Sequence, residues 1–141
     1  MDKLAIRHLP LLDAPPKTPV MDGVRIKMAA GEAAPVFNGG PWRFIAWLEF
    51  AEGASAWRGN HYHQKKHESF YVIRGTLLGR FEDVDTGEYL EEELPEGTVL
   101  TIAPRLAHAF QGLGYAHCIE CSPLEFDASD AYPHVVGGDR A

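Results

Sequence analysis

Cysteine is nearly absent: Cys118 and Cys121 are the two in 141 residues, so no multi-disulfide framework holds this chain together. No run of about 18 apolar residues occurs, which leaves no membrane-spanning helix. Positive charge is also in short supply, with 13 Lys and Arg against 20 Asp and Glu and a net charge of -7. That balance removes the counterion-release drive toward nucleic acid or anionic lipid. The stretch Met1 to Pro10 carries a charge every few residues and lacks the apolar core of a secretion signal. The expected setting is cytoplasmic, with no nucleic-acid and no membrane partner. Helical periodicity is scarce too, and no two-turn helix is convincing ahead of the tail.

What is present is a composition 45% hydrophobic and 23% charged, enough for one domain. A chain of this size buries about 70% of its unfolded surface, so a bound metal is expected to serve function rather than merely hold the fold. The Cys-x-x-Cys spacing invites a redox or zinc reading, but Tyr115 to Cys121 reads as a strand. Residues three apart on a strand point to opposite faces, so two buried or half-buried free thiols are expected instead.

Residues 1–40 hold Pro10, Pro15, Pro16, Pro19 and Pro35 and read as an extended N-terminal arm with one strand, Val24 to Met28. From Trp42 onward, short β-branched and aromatic runs alternate with glycine, proline and aspartate about every ten residues. The runs are 42–50, 61–63, 69–73, 76–82, 88–94, 99–103, 108–111 and 115–121, with hairpin turns at Asp85-Thr86-Gly87 and Pro95-Glu96-Gly97. This pattern makes the chain all-β, a double-sheet jelly roll over 41–123, followed by a tail, 124–141, with one helical turn near 128–132. The acidic run Glu91 to Glu93 reads as a solvated strand end.

The chemistry concentrates in His61-Tyr62-His63-Gln64-Lys65-Lys66-His67-Glu68. On a strand His61 and His63 share a face, and a short corner returns Glu68 toward the same point from the next strand. Two imidazoles and a carboxylate suit a divalent transition metal. Gly97 to Phe110 supplies a further strand, a proline corner at Pro104, and His108 as the remaining ligand.

These residues resemble the cupin superfamily, whose first motif is His-x-His, a short gap, Glu, six residues and Gly. Here the gap is Gln64 to His67 and the glycine is Gly75; Gly97, Pro104 and His108 match the second motif. The resemblance spans about 42–123 and implies a cupin jelly-roll double-stranded β-barrel with a metal inside. Departures are Ser55 where glycine is usual in the first motif, Ala103 and Arg105 for a common proline and glycine, and Gly112 for asparagine. They touch the shape of the pocket rather than the ligands. A metal-free sandwich with three satisfied interior histidines is the competing account. His8, His67, His117 and His134 match no motif position and read as surface or structural residues.

The resemblance implies four ligands, His61, His63, Glu68 and His108, around Fe, Mn, Zn, Ni or Co, with open coordination positions for chemistry. Glu68 doubles as a catalytic base. Phe70 and Val72 share the parity of Glu68, and Phe110 that of His108, making them candidate pocket walls or plain core. Trp57 is a candidate cap at the mouth, and Arg74, Arg80 and Arg105 are candidate anion anchors or solvated charges. Within the superfamily, the run from His61 to Val72 is similar to small cupins described as mannose-6-phosphate isomerase-like, as is an ending with Val135-Val136 and Asp139-Arg140. That implies a small-molecule sugar or sugar phosphate, with metal-assisted proton transfer between adjacent carbons. A metal-dependent dioxygenase of a diketone or phenol, and a non-catalytic sensor of a small molecule, are the alternatives. A homodimer is expected.

Overall fold

Alternating runs become strands because successive side chains face opposite sides of a sheet, and packing one side inward buries the apolar set. The computed structural model describes residues 1–53 and 55–138. The arm forms β1 (Leu4–His8), β2 (Leu11–Asp13), β3 (Arg25–Met28) and β4 (Gly31–Ala33). Next come β5 (Phe44–Phe50), β6 (Arg58–Tyr62), β7 (Glu68–Arg74), β8 (Thr76–Asp83) and β9 (Tyr89–Pro95). The chain continues through β10 (Thr98–Ile102), β11 (Leu106–Gly112), β12 (Ala116–Ser122) and β13 (Tyr132–Pro133).

Two five-stranded antiparallel sheets face each other, one ordered β1-β10-β7-β12-β5 and the other β13-β6-β11-β8-β9. Their inner faces interlock through Phe70, Val72, Leu100 and Cys118 from the first, and Phe81, Leu94, Leu106 and Phe110 from the second. This is the expected jelly roll. Both cysteines are buried and free, Cys118 on the inner face. Burial pushes its thiol up to about 12, which keeps it protonated and unreactive.

The arm departs from the single strand expected of it. β1 pairs with β10 from Leu4 opposite Ile102 to His8 opposite Thr98, while Leu4 and Ile6 pack against the core. Without β1, β10 would present an unpaired row of backbone groups at the sheet edge. β2, β3 and β4 form a separate small sheet. Leu9, Val36 and Phe37 lie against Tyr71 and Val99 on the outside of the first sheet. Arg25 fastens this arrangement by pairing with Glu32 at 2.9 Å and with Glu96 at 2.7 Å.

The tail makes its turn at Ala128–Asp130, capped by the Asp127 carboxylate accepting from the Ser129 amide at 3.0 Å. β13 then lies along β6, and Tyr132 stacks on Tyr62 with ring centroids 5.3 Å apart.

Candidate metal centre

The histidines come from one sheet and the glutamate from the other. His61 sits on β6 directly opposite His108 on β11, and the register between these strands shifts immediately beyond, at Ala109 and Gly59. Gly59 is required there: its φ is +100°, and a Cβ would stand 2.6 Å from the His108 carbonyl oxygen. His63 follows just after β6, one residue beyond the strand end. Its carbonyl accepts at 2.7 Å from the amide of Arg105, which turns the proline corner at φ +67°, a position where the cupin pattern usually has glycine.

The three imidazoles offer ring nitrogens that all lie within 4.8 Å of one another. Glu68 opens β7 and reaches across, with Oε1 3.3 Å from His63 Nε2 and Oε2 3.0 Å from His108 Nε2. Neither approach is aligned as a hydrogen bond, and buried His63 Nε2 and Glu68 Oε2 have no hydrogen-bond partner. Donors each about 2.1 Å from a single ion stand about 3 Å apart, so the donor set fits a transition metal.

The far sides of two rings support the same conclusion. His63 Nδ1 lies 2.6 Å from the Asp130 carbonyl and His108 Nδ1 lies 3.0 Å from the Leu106 carbonyl. A carbonyl only accepts, so each Nδ1 carries the hydrogen and, in the neutral ring, the lone pair sits on Nε2 facing the cluster. Burial, then the neighbouring His108 and His63, pushes His61 down to about 4, which keeps it neutral and able to ligate near pH 7. Burial alone would raise Glu68, but His108 and His63 outweigh it and hold the carboxyl well below its usual range. For His63, burial works downward and Glu68 beside it wins, so its pKa is raised.

Two residues to which the sequence reading gave no role complete the charge arrangement. Lys66 is 7% exposed, and its Nζ lies 2.7 Å from Glu120 Oε2 and 3.4 Å from Glu68 Oε1, with the Phe44 ring centroid 4.5 Å away. Burial and the charge on Glu68 raise the pKa of Glu120. The cluster opens on one side into a cavity of about 410 Å³ bounded by Phe44, Lys66 and Phe126. On the other lies a cavity of about 160 Å³ bounded by Phe50, Arg58, Phe70 and Phe110. His61, Glu68 and Glu120 face both.

Phe70 and Phe110 therefore line the site, whereas Val72 lies in the apolar core and faces neither cavity. Trp57 is not at the mouth. It packs with Ala107, Ala109 and Val136, and the Arg80 guanidinium lies 4.3 Å over its ring. The three candidate anion anchors are paired elsewhere: Arg74 with Glu96, Arg80 with Glu91 and Arg105 with Asp85. Arg58 is the arginine at the small cavity, its Nε donating to the Glu49 carbonyl at 3.1 Å. Asp130 was also missed, although its carbonyl orients His63. Asp139 and Arg140 lie outside the described residues.

The fold is a cupin-like jelly roll, with His-x-His, Glu and His converging between its sheets. More narrowly, the family model described as "Polysaccharide biosynthesis C-terminal domain" matches residues 48–121, just over half the chain and all four candidate ligands. The chain belongs to that family. No curated sequence relative matches it.

Among solved structures, it is similar to the TDP-quinovose 3,4-ketoisomerase WlaRB of Campylobacter jejuni. The TM-score is 0.73 at 14% identity, covering 95% of each chain. The QdtA 3,4-ketoisomerase of Thermoanaerobacterium thermosaccharolyticum, solved in complex with TDP, gives 0.72 at 17% identity over 93% of this chain and 87% of that one. CapF of Staphylococcus aureus, a capsular polysaccharide assembling protein, gives 0.59 at 26% identity over 65% of this chain and 27% of CapF. At these identities the two ketoisomerases establish the fold.

Proposed function

We propose that this cupin is a metal-dependent isomerase or epimerase of a sugar, in which a proton moves between carbons beside a carbonyl. The observation that carries the reading is the buried meeting of three imidazoles and a carboxylate at the junction of two cavities. His61, His63, Glu68 and His108 would hold a divalent transition metal, Fe, Mn, Zn, Ni or Co. When bound, such an ion supplies a Lewis acid that draws charge toward a substrate oxygen.

The remaining work falls to the chain. Glu68, fixed between His63 and His108, is committed as a ligand more than as the base suggested by its motif position. Glu120 is better placed to carry the proton: it faces both cavities, and its raised pKa moves it toward the range a general acid or base needs. Lys66 sets a fixed positive charge beside the larger cavity, where an oxygen gaining negative charge would meet it. Phe44, Phe70 and Phe110 would exclude water around the reacting carbon.

Support for a nucleotide-linked keto sugar over a free sugar phosphate comes from the folds it resembles, two of which are 3,4-ketoisomerases acting on TDP-linked sugars or bound to TDP. CapF has been solved with the inhibitor 3-isopropenyl-tropolone, whose carbonyl and hydroxyl oxygens on adjacent ring carbons are of the kind that chelate a divalent cation. The test incubates the metal-loaded protein in D2O with TDP-4-keto-6-deoxyglucose, and separately with hexose 6-phosphates, following deuterium uptake by NMR. Exchange at a carbon beside the carbonyl that stops on chelation supports the proposal. Oxygen consumption with a diketone or phenol would replace it with dioxygenase chemistry, and tight binding without exchange or turnover with a sensor. A homodimer is also proposed: Ile45 and Trp47 on the edge strand β5 are 62% and 58% exposed, and light scattering should give twice the 15.6 kDa chain mass.

A further inference from the structure

The C-terminal tail holds the ligand segment at every level of its structure. β13 pairs with β6 at Pro133 opposite His61 and Tyr132 opposite Tyr62. The Asp130 carbonyl takes the Nδ1 hydrogen of His63 at 2.6 Å. The Asp130 carboxylate, only 7% exposed, gathers the next three amides: Gln64 at 2.9 Å, Lys65 at 3.2 Å and Lys66 at 3.1 Å. Farther along, the Asn60 carbonyl accepts from the His134 amide at 2.8 Å and the Asn60 side chain accepts from the Val136 amide at 3.0 Å.

We infer that Asp130 is a positioning residue for the metal centre, and that docking of residues 127–136 against β6 and binding of the ion are coupled. This rests on the metal reading given above. The physical reason is that one residue does two things. Its main chain fixes the tautomer and direction of His63, so that Nε2 faces the cluster. Its side chain shapes the corner from Gln64 to Lys66, which delivers Glu68 onto β7 and aims Lys66 at Glu120. A carboxylate accepting three amides within one corner holds that corner more tightly than a neutral acceptor does. By linkage, if the docked tail raises ion affinity by some factor, the ion favours the docked tail by that same factor.

The experiment titrates the full chain with Co2+ by its visible absorption and reads Zn2+ by competition. Both variants keep the main-chain carbonyl on His63 and test the side chain: Asp130→Ala should weaken affinity about 10–100-fold, and Asp130→Asn, which keeps one side-chain oxygen to accept from the corner amides, by less. Ile26→Ala is the comparison, because Ile26 is buried in the small sheet of the arm, between β2 and β4 and outside both the tail and the ligand segment. Its affinity should stay within about twofold of the wild type whatever its urea midpoint does, which separates positioning from general stability. If Asp130→Ala fails to fold, hydrogen exchange on the wild-type chain decides. Saturating Zn2+ should slow the amides of Gln64, Lys65, Lys66, His134 and Val136 at least about tenfold, and leave those of Asp85 and Thr86 unchanged. Wild-type binding with undiminished affinity in the Asp130 variants, or with no slowing of the tail amides, overturns the coupling alone. A wild-type chain that takes up neither Co2+ nor Zn2+ overturns the metal reading and the coupling with it.

Discussion

Replacing Lys66 by methionine keeps most of the side-chain volume and removes one buried ammonium. Glu120 then loses a 2.7 Å partner in a place where it is only 8% exposed, beside the Glu68 carboxylate. The cheapest response for Glu120 is to take a proton. Holding neutral a carboxyl whose ordinary value is 4.5 costs about 1.4 kcal/mol per pH unit above that value, or about 3 kcal/mol at pH 7 and under about 1 kcal/mol at pH 5. The sign follows from the raised folded-state pKa: the folded variant binds a proton that the unfolded chain releases, so the penalty grows with rising pH. Lys66→Met should therefore lose about 3 kcal/mol relative to the wild type at pH 7 in urea unfolding of chelator-treated protein. Most of that loss should disappear at pH 5. Adding Glu120→Gln to Lys66→Met should recover much of the stability at pH 7, because the stranded acid is gone. A pH-independent loss, or additive effects in the double variant, would show that the pair is not energetically linked.

Metal affinity should fall as pH drops through the raised pKa of His63, above its ordinary 6.5, by about tenfold per unit for the one proton displaced. His61, at about 4, should compete only near that pH, and an affinity that is flat between about pH 7.5 and 5.5 would refute the assignment. Gly59→Ala places a Cβ 2.6 Å from the His108 carbonyl at φ +100°. It should cost about 1–3 kcal/mol in urea and weaken Co2+ binding by displacing His108; an unchanged midpoint would contradict the close approach. Phe81→Ala, at a fully buried ring between Leu94 and Phe110, should cost about 3–5 kcal/mol with little effect on metal affinity at constant fold.

The eight main strands were legible from β-branched and aromatic runs broken by glycine, proline and aspartate; burial alternates cleanly in β8 but not in β11, which is buried from Leu106 to Phe110. Glu68, Phe70 and Val72 share the inner face of β7 because side chains two apart on a strand point the same way. The spacing from His61 to Gly75 located the site because corner length fixes where Glu68 re-enters. β1 was missed because Lys3 precedes and Arg7 interrupts a run of five residues whose alternation, Leu4 and Ile6, is too short to read. Trp57 precedes β6 on a stretch without alternation, so nothing in the sequence said which face it would take. Glu120 left a signal that went unread: it is an acid on the same parity as the buried Ala116, Cys118 and Ser122. Lys66 and Asp130 left none, since a corner and a tail have no period and their partners are distant in sequence.

Four side chains from two sheets are proposed to share a single ion, and metal content decides whether they do. Protein purified without added metal should carry about one equivalent of a divalent transition metal per chain by elemental analysis, or take it up on addition. His61→Ala and His108→Ala should each lower occupancy at least about tenfold while the far-ultraviolet circular dichroism stays that of a β protein. A wild-type chain that holds no such ion and binds none, or variants with the same content as the wild type, would contradict the account.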